Sequence, residues 1–394
     1  MIILAVNAGS SSLKFSLYPL AAGLIQAQML SGLIEGLEPG GKPEMCWTFR
    51  GQNERRELTL DTDHIFAKAL LGLADLLTHL PDVPKIDAVA HRVVHGGQTF
   101  RASVVVTDEV LRQLEQLNSL APLHQPHNLE GIRAFRQTFD QVPQVACFDT
   151  AFHATLPEVD HRFALPESLY QQGLRRYGFH GLSYQYVMGA LQQHSPRANS
   201  RVLMAHLGNG ASLCAALEGK SCSTTMGFSA LDGLVMGTRT GLLDAGVMLY
   251  LLEQGWDHAR LQQLLYKQSG LLGISGISAD MRRLRADKSA GARLAIDIFI
   301  YRLVRESGAL VACMQGLDVL AFSGGIGEHD TALRADVAQR LAWLGVAIDP
   351  VLNARATGND IMTIHTPQSR VEVWVVPTDE GVVAAREAAR LIGG

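Results

Sequence analysis

IILAVNAGSSSLKFSL, residues 2–17, and VLMAHLGNGASLCAAL, residues 202–217, decide how this chain is read. In each, an apolar run enters a turn of small residues and leaves it as a second run. In the first copy Ser12, Lys14 and Ser16 alternate against Leu13, Phe15 and Leu17. Alternation of period two around glycine predicts strand, turn, strand. The two copies lie 200 residues apart, which matches no solenoid period and predicts a duplicated domain.

Working outward, the pattern predicts a helix over 65–80 and a strand over 88–94 closed by Gly96 and Gly97. Thr107 reads as an N-cap, with Asp108 and Glu109 in the first turn of a helix to about residue 120. A strand over 144–148 runs into Asp149. In the second half come a helix over 290–314 and a strand over 319–323 that enters Gly324. A strand over 371–376 then feeds Thr378, Asp379, Glu380 and a terminal helix to 392. Alternating strands and helices predict α/β layers, and 394 residues are enough for two domains. No Pro/Ser/Gly-rich linker separates them, so the chain is expected to cross between domains through ordered elements.

Composition excludes several classes. With 34 Lys+Arg against 38 Asp+Glu the net charge is −4, and 47% of residues are apolar. Nucleic-acid and membrane-surface binders show basic clustering that is absent here. An anionic substrate must therefore be held by local cations. The five cysteines form no C-x-x-C pair and read as reduced, mostly buried thiols. The N-terminus lacks a basic leader region and its apolar run is too short to span a bilayer, so a cytoplasmic protein is expected.

Three glycine-rich turns directly follow predicted strands, at 7–12, 208–210 and 324–328. Such turns point backbone N–H groups at anions and let phosphate oxygens come close. The familiar nucleotide motifs are missing. Residues 36–42 mimic G-x-x-x-x-G-K, but Pro43 stands where a hydroxyl would bind Mg2+, and Gly325-Ile326-Gly327 lacks the third glycine of a dinucleotide fingerprint. No G-x-S-x-G or H-E-x-x-H occurs. His91 and His95 have helical zinc-ligand spacing, but HRVVHGG reads as a strand and favours structural histidines.

NAGSSSLKF, HRVVHGG, APLH, FDTAFH, RRYGFHG, HLGNG, GLVMGTR, SGLLGISG and SGGIGE, in this order over essentially the whole chain, resemble the acetate kinase family, of which propionate kinases are near relatives. The resemblance implies two duplicated ribonuclease-H-like/actin-like ATPase domains around a central cleft. One spans 1–149, with the helix 381–394 packing back on it; the other spans 150–380, binds nucleotide and dimerises. It further implies a transferase that moves the ATP γ-phosphoryl group to acetate with Mg2+ (or Mn2+), giving acetyl phosphate and ADP, as a cytoplasmic homodimer. A short-chain fatty acid kinase preferring propionate is the alternative. A rival of another class is an actin-like conformational ATPase without an acyl substrate.

Because a carboxylate with pKa near 4–5 is already ionised at pH 7, phosphorylating it needs no base. It needs cations and donors that let an anion meet a polyanion. By resemblance, Arg92 and Arg239 bracket the acyl carboxylate and the transferring phosphoryl group, His180 donates to phosphoryl oxygens, and His124 is a secondary donor. Read without the family, Arg92 lies in an apolar strand and Arg239 in GLVMGTRTG, where burial demands partners, while His180 and His124 are equally readable as core histidines. Asp149 resembles the family's essential acid, orienting an arginine or a metal-bound water. Asn7 and Glu380 would hold Mg2+, although an acid in a first helical turn also simply favours the helix dipole. Lys14, Ser10, Ser12, His206, Leu207, Gly208, Asn209 and Gly210 would cradle phosphates. Asp280, Met281, Arg282, Gly325, Ile326, Gly327, Glu328 and His329 match adenosine-side segments. Val94, Leu123, Phe179 and Ala230 would wall the acyl pocket. The chain departs from the family at Ala230 (usually proline), Leu242 (often aspartate), His329 (usually asparagine), Asp379 (commonly asparagine) and Gly381 (commonly glutamate).

Overall fold

A computed structural model describes residues 1–9, 12–38, 41–58, 65–122 and 124–393. Ser10, Leu123 and part of the 36–42 segment lie outside the described residues. The chain divides into two compact units, Met1–Ala151 with Asp379–Gly394, and Phe152–Thr378. Glu380, expected in the second domain, therefore belongs to the first unit.

The first unit holds β1 (Ile2–Ala8), β2 (Leu13–Ala21), β3 (Leu24–Ile25), β4 (Leu30–Glu35), β5 (Glu44–Phe49), β6 (Gln52–Glu57), β7 (Ala88–Val93), β8 (Val104–Val105) and β9 (Gln144–Phe148). Their order is β6-β5-β4-β2-β1-β7-β9-β8, with β3 paired to β2. The second holds β10 (Arg201–Leu207), β11 (Ala211–Leu217), β12 (Lys220–Thr224), β13 (Val319–Ser323), β14 (Met362–Thr363) and β15 (Glu372–Val375), in the order β12-β11-β10-β13-β15-β14. Both sheets share one plan. The first strand pairs antiparallel with the start of a meander on one side (β2 then β4; β11 then β12) and parallel on the other with a later strand that pairs parallel with the next (β7 then β9; β13 then β15). The duplication read from residues 2–17 and 202–217 is thus a duplication of topology.

Burial explains the apolar runs. Parallel strands covered on both faces need side chains without charge in both directions, and every residue of β9 and β13 is buried. On one face of the first sheet Leu4, Leu13 and Leu17 pack with Leu70 of the helix Ile65–His79. Each is fully buried and contributes about 2 kcal/mol. The helix Glu380–Ile392 packs on β1 and β7, burying Ala384, Ala385 and Ala388, whose small side chains allow close approach.

Three local differences from the sequence reading have plain causes. The helix begun at Asp108 and capped by Thr107 ends at Glu115, where Leu117 and Asn118 close turns onto Leu114 and Glu115. The segment after β13 is a short helix, Gly324–His329, not an open turn. The meander β4–β6 was not anticipated, because β6 (QNERRE) is an edge strand with no buried residue. Charged edges of this kind guard against edge-to-edge pairing. Among the described residues no helix is long and apolar enough to cross a membrane.

Candidate active site

In the first unit, β7 carries Arg92 and the end of β9 delivers Asp149, whose N–H donates to Val93 O at 3.0 Å. Arg92 Nε donates to Asp149 Oδ1 at 3.0 Å and Nη2 to Oδ2 at 2.7 Å, while Nη1 lies 3.1 Å from Glu380 Oε2. The Asp149 side chain is 2% exposed and that of Arg92 21%. Burial alone disfavours the guanidinium charge; the two carboxylates, Asp149 foremost, reverse this and hold its pKa above the ordinary value. A fork-to-fork pair fixes the guanidinium plane. The carboxylate thereby acts as an orienter.

Glu380 is aimed by a contact between residues far apart in sequence. Tyr18 on β2 donates to Asp379 Oδ1 at 2.8 Å, and the same oxygen caps the terminal helix by accepting from Val382 N at 3.0 Å. A Cβ on Gly381 would stand 2.6 Å from the Tyr18 hydroxyl, so the glycine is what admits the tyrosine. The two departures flanking Glu380 form one packing solution. Asn7, at the end of β1, is the register partner of Lys14 on β2, and Lys14 is exposed. Ser12 closes the first turn by accepting Gly9 N–H at 2.8 Å on its carbonyl.

Val94 donates its N–H to Asn128 Oδ1 at 3.0 Å, and Asn128 Nδ2 donates to Ala8 O at 2.8 Å, tying the ends of β1 and β7 together. His124 is exposed at the start of the helix Gln125–Thr138. His91 is buried in its strand against Gln144 Oε1 at 2.7 Å, and burial pushes its pKa down to about 4 against that hydrogen bond. His95, lowered to about 4 by burial, accepts from Gly97 N at 2.9 Å on Nδ1. Both are neutral structural groups. Among the described residues no cluster of three or more His, Cys, Asp or Glu forms a metal cage.

In the second unit, His180 sits in the left-handed region (φ 59°, ψ 25°) at the start of the helix Gly181–His194. Its Nδ1 is 2.8 Å from Ser212 Oγ, which is 2.5 Å from the Tyr184 hydroxyl. The ring stacks on His206 at 4.3 Å between centroids, and His206 Nδ1 bonds Ser183 Oγ at 2.8 Å. Arg239 Nη1 donates to Ala230 O at 2.6 Å. A Cβ on Gly210 would meet Arg239 Nη2 at 2.7 Å and His180 Nε2 at 3.1 Å. Glycine there clears the space onto which a cation and an imidazole both face. Phe179 is buried, its carbonyl accepting from His153 Nε2 at 2.9 Å.

Beside this cluster within the same unit lies a cavity of about 990 Å³. Gly208, Asn209, Asp280, Met281, Arg282, Gly325, Ile326 and His329 line it, together with Arg285 and Asp330, which the sequence reading missed. The volume is that of a nucleotide-sized site. Asp280 caps the helix Met281–Ala286 and pairs with Arg282, whose side-chain and backbone donors hold its pKa down to about 2. Leu207, Gly210, Gly327 and Glu328 are not in the lining. Glu328 instead accepts Gly324 N–H at 2.7 Å and Thr378 N–H at 3.1 Å, and burial raises its pKa against those bonds.

Arg334, fully buried, holds the Gly324–His329 helix from behind. Nη1 donates to Gly327 O at 2.8 Å and Glu328 O at 2.7 Å, Nη2 to Asn353 O and Ala356 O, and Nε to Asn353 Oδ1. Burial lowers its pKa to about 10, opposed by Asp330, so it stays charged at neutral pH. Arg334→Met strands these acceptors at about 1–3 kcal/mol each where water cannot replace the donor. The variant is expected to lose thermal stability and to bind ATP several-fold more weakly by calorimetry; parent values for both would contradict this account of Arg334.

Two sheets of one topology, a guanidinium centre in each unit and a nucleotide-sized cavity beside glycine turns define a two-unit α/β phosphotransferase. Residues 2–386 match the profile of the Acetokinase family. An acetate kinase of Rhodopseudomonas palustris is 48% identical over 403 residues, covering 100% of this chain and 99% of that protein. Among solved structures, a propionate kinase from Francisella tularensis superposes with a TM-score of 0.91 at 36% identity, and an acetate kinase from Porphyromonas gingivalis with 0.88 at 36%, each covering 99% of both chains. The chain belongs to the acetokinase family, and its chemistry is phosphoryl transfer with a carboxyl group as acceptor.

Proposed function

We propose that this enzyme transfers the γ-phosphoryl group of ATP to acetate, reversibly and in line, giving acetyl phosphate and ADP. The observation that supports the reading most is the paired approach of Arg239 Nη2 and His180 Nε2 to Gly210, next to the nucleotide-sized cavity. Donors aimed at a transferring phosphoryl group stabilise charge that grows in the transition state. Arg92, locked by Asp149 and Glu380, offers a guanidinium to the acyl carboxylate. Asp149 is committed to Arg92 and serves to orient it rather than as a base. Asn7 and Glu380 provide oxygen donors of the kind Mg2+ favours, and few protein ligands suit an ion that keeps much of its water. When bound, Mg2+ supplies charge neutralisation to the phosphates. A cytoplasmic location is part of the same proposal, supported by the nucleotide co-substrate.

The test is to incubate the protein with acetate, ATP and Mg2+ and trap acyl phosphate with hydroxylamine. Acetate-dependent hydroxamate is expected; ATP turnover indifferent to acetate would instead mark a conformational ATPase. Propionate is the second reading, favoured by the smaller alanine at 230, where the family usually has proline. Val94→Ala is expected to raise the propionate-to-acetate ratio of kcat/KM, by about tenfold or more for one methylene's worth of space. An unchanged ratio would remove Val94 from the pocket wall.

The enzyme is proposed to act as a homodimer. The helix Ala245–Glu253 (AGVMLYLLE) has no buried residue, and Leu249, Tyr250 and Leu252 are 62%, 59% and 49% exposed. An exposed apolar helix of this kind marks an interface. Leu249→Glu with Tyr250→Glu is expected to convert a dimer to a monomer in sedimentation; an unaltered sedimentation coefficient would place the interface elsewhere.

A further inference from the structure

We infer that Ser212 and Tyr184 are positioning residues that hold the His180 ring in the tautomer carrying its proton on Nε2, the nitrogen that faces Gly210 and Arg239. The inference rests on the proposed role of His180 as a donor to the phosphoryl group. It deepens that reading by naming what makes the ring a donor.

The three groups form a chain with one polarity. His180 begins a helix and Tyr184 lies one turn further on, its N–H donating to His180 O at 3.0 Å. Ser212, on β11, stands between their side chains, 2.8 Å from His180 Nδ1 and 2.5 Å from Tyr184 Oη. Tyr184 and Ser212 are both 0% exposed, so each hydroxyl proton must find a protein acceptor. The direction is set at the far end, where the Tyr184 hydroxyl has one acceptor within reach among the described residues, Ser212 Oγ.

Each hydroxyl has one proton to give. Tyr184 gives its proton to Ser212, and Ser212 gives its own to His180 Nδ1. A neutral imidazole that accepts at Nδ1 carries its hydrogen on Nε2. The opposite polarity would leave the buried phenol proton without an acceptor. The tautomer matters because phosphoryl oxygens only accept. An Nε2 lone pair would repel them, whereas Nε2–H donates. The stack on His206, at 4.3 Å and 29°, holds the ring plane while the relay sets the proton.

Full-length protein labelled with 15N only in histidine tests this by long-range 1H–15N correlation, which separates Nε2–H from Nδ1–H rings. The His180 signals are assigned as those lost in His180→Gln. The parent is expected almost wholly as Nε2–H, with Ser212→Ala and Tyr184→Phe each moving a substantial share to Nδ1–H. In Ser212→Ala, kcat should fall roughly ten- to a hundredfold, the loss of one charge-assisted hydrogen bond, with KM for acetate and ATP nearly unchanged. Ser212→Thr, which keeps the hydroxyl, should recover both tautomer and rate. Retention of Nε2–H in Ser212→Ala and Tyr184→Phe, or a fall in kcat without a tautomer change, would overturn the inference and leave both residues as packing alone. Should Ser212→Ala not fold, Tyr184→Phe decides the matter by its tautomer. Failure of the underlying reading looks different: His180→Ala would then retain activity whatever the tautomer results.

Discussion

Arg239→Ala is expected to lower kcat/KM for acetate by about a thousandfold or more. Removing a single preorganised donor from a developing oxyanion costs about 10²–10³ in rate, and a guanidinium directed at a transferring phosphoryl group is worth about 10³–10⁵. On the proposed reading both descriptions apply to Arg239, whose Nη1 is anchored on Ala230 O while Nη2 faces the space over Gly210. The residue is only half-buried, so its loss leaves no buried charge and the variant should fold. The check is steady-state kinetics beside circular dichroism. A folded Arg239→Ala protein within tenfold of the parent would remove this residue from the chemistry.

Asp149→Asn is expected to cost both activity and stability. The carboxylate is 2% exposed and accepts from Nε and Nη2 of Arg92. An asparagine of the same shape withdraws the charge and turns an amide donor toward a donor. Breaking a buried pair by removing one partner costs about 3–5 kcal/mol, here moderated by the remaining Glu380 contact at 3.1 Å. The rate should fall by about 10² or more, because a guanidinium released from its fork no longer holds the acyl group in line. A thermal scan and acetate kinetics measure the two losses separately. Full activity in Asp149→Asn would mean that the orientation of Arg92 is set elsewhere.

How much of this was legible in the sequence depended on the range of the forces involved. The strands 144–148 and 319–323 were read to the residue, because strands covered on both faces leave unbroken apolar runs bounded by glycine or charge, and the helix 290–314 was read to the residue as well. The helix Gly181–His194 gave no such signal. It opens on a left-handed histidine with no capping side chain and contains Gly189. Arg92 and Asp149 were visible as a guanidinium in an apolar strand needing a partner and an acid at the end of another strand. Tyr18 with Asp379 was not, since 361 residues separate them. Nor was the His180–Ser212–Tyr184 relay, which needs the placement of β11 against a helix. Arg334 did leave a trace: in TALRADVAQR it falls on the face of Val337, Ala338 and Leu341, an apolar helix face on which a charge is out of place unless it is fully bonded.

Underlying all of these expectations is the claim that planar cations supplied by the protein neutralise two negative reactants. Guanidinium added back to Arg239→Ala, at concentrations that leave the protein folded, tests it most directly. The account predicts a saturable recovery of acetate-dependent hydroxamate formation with guanidinium and none with urea, its neutral analogue of similar shape. Equal recovery with both, or none with either, would contradict it.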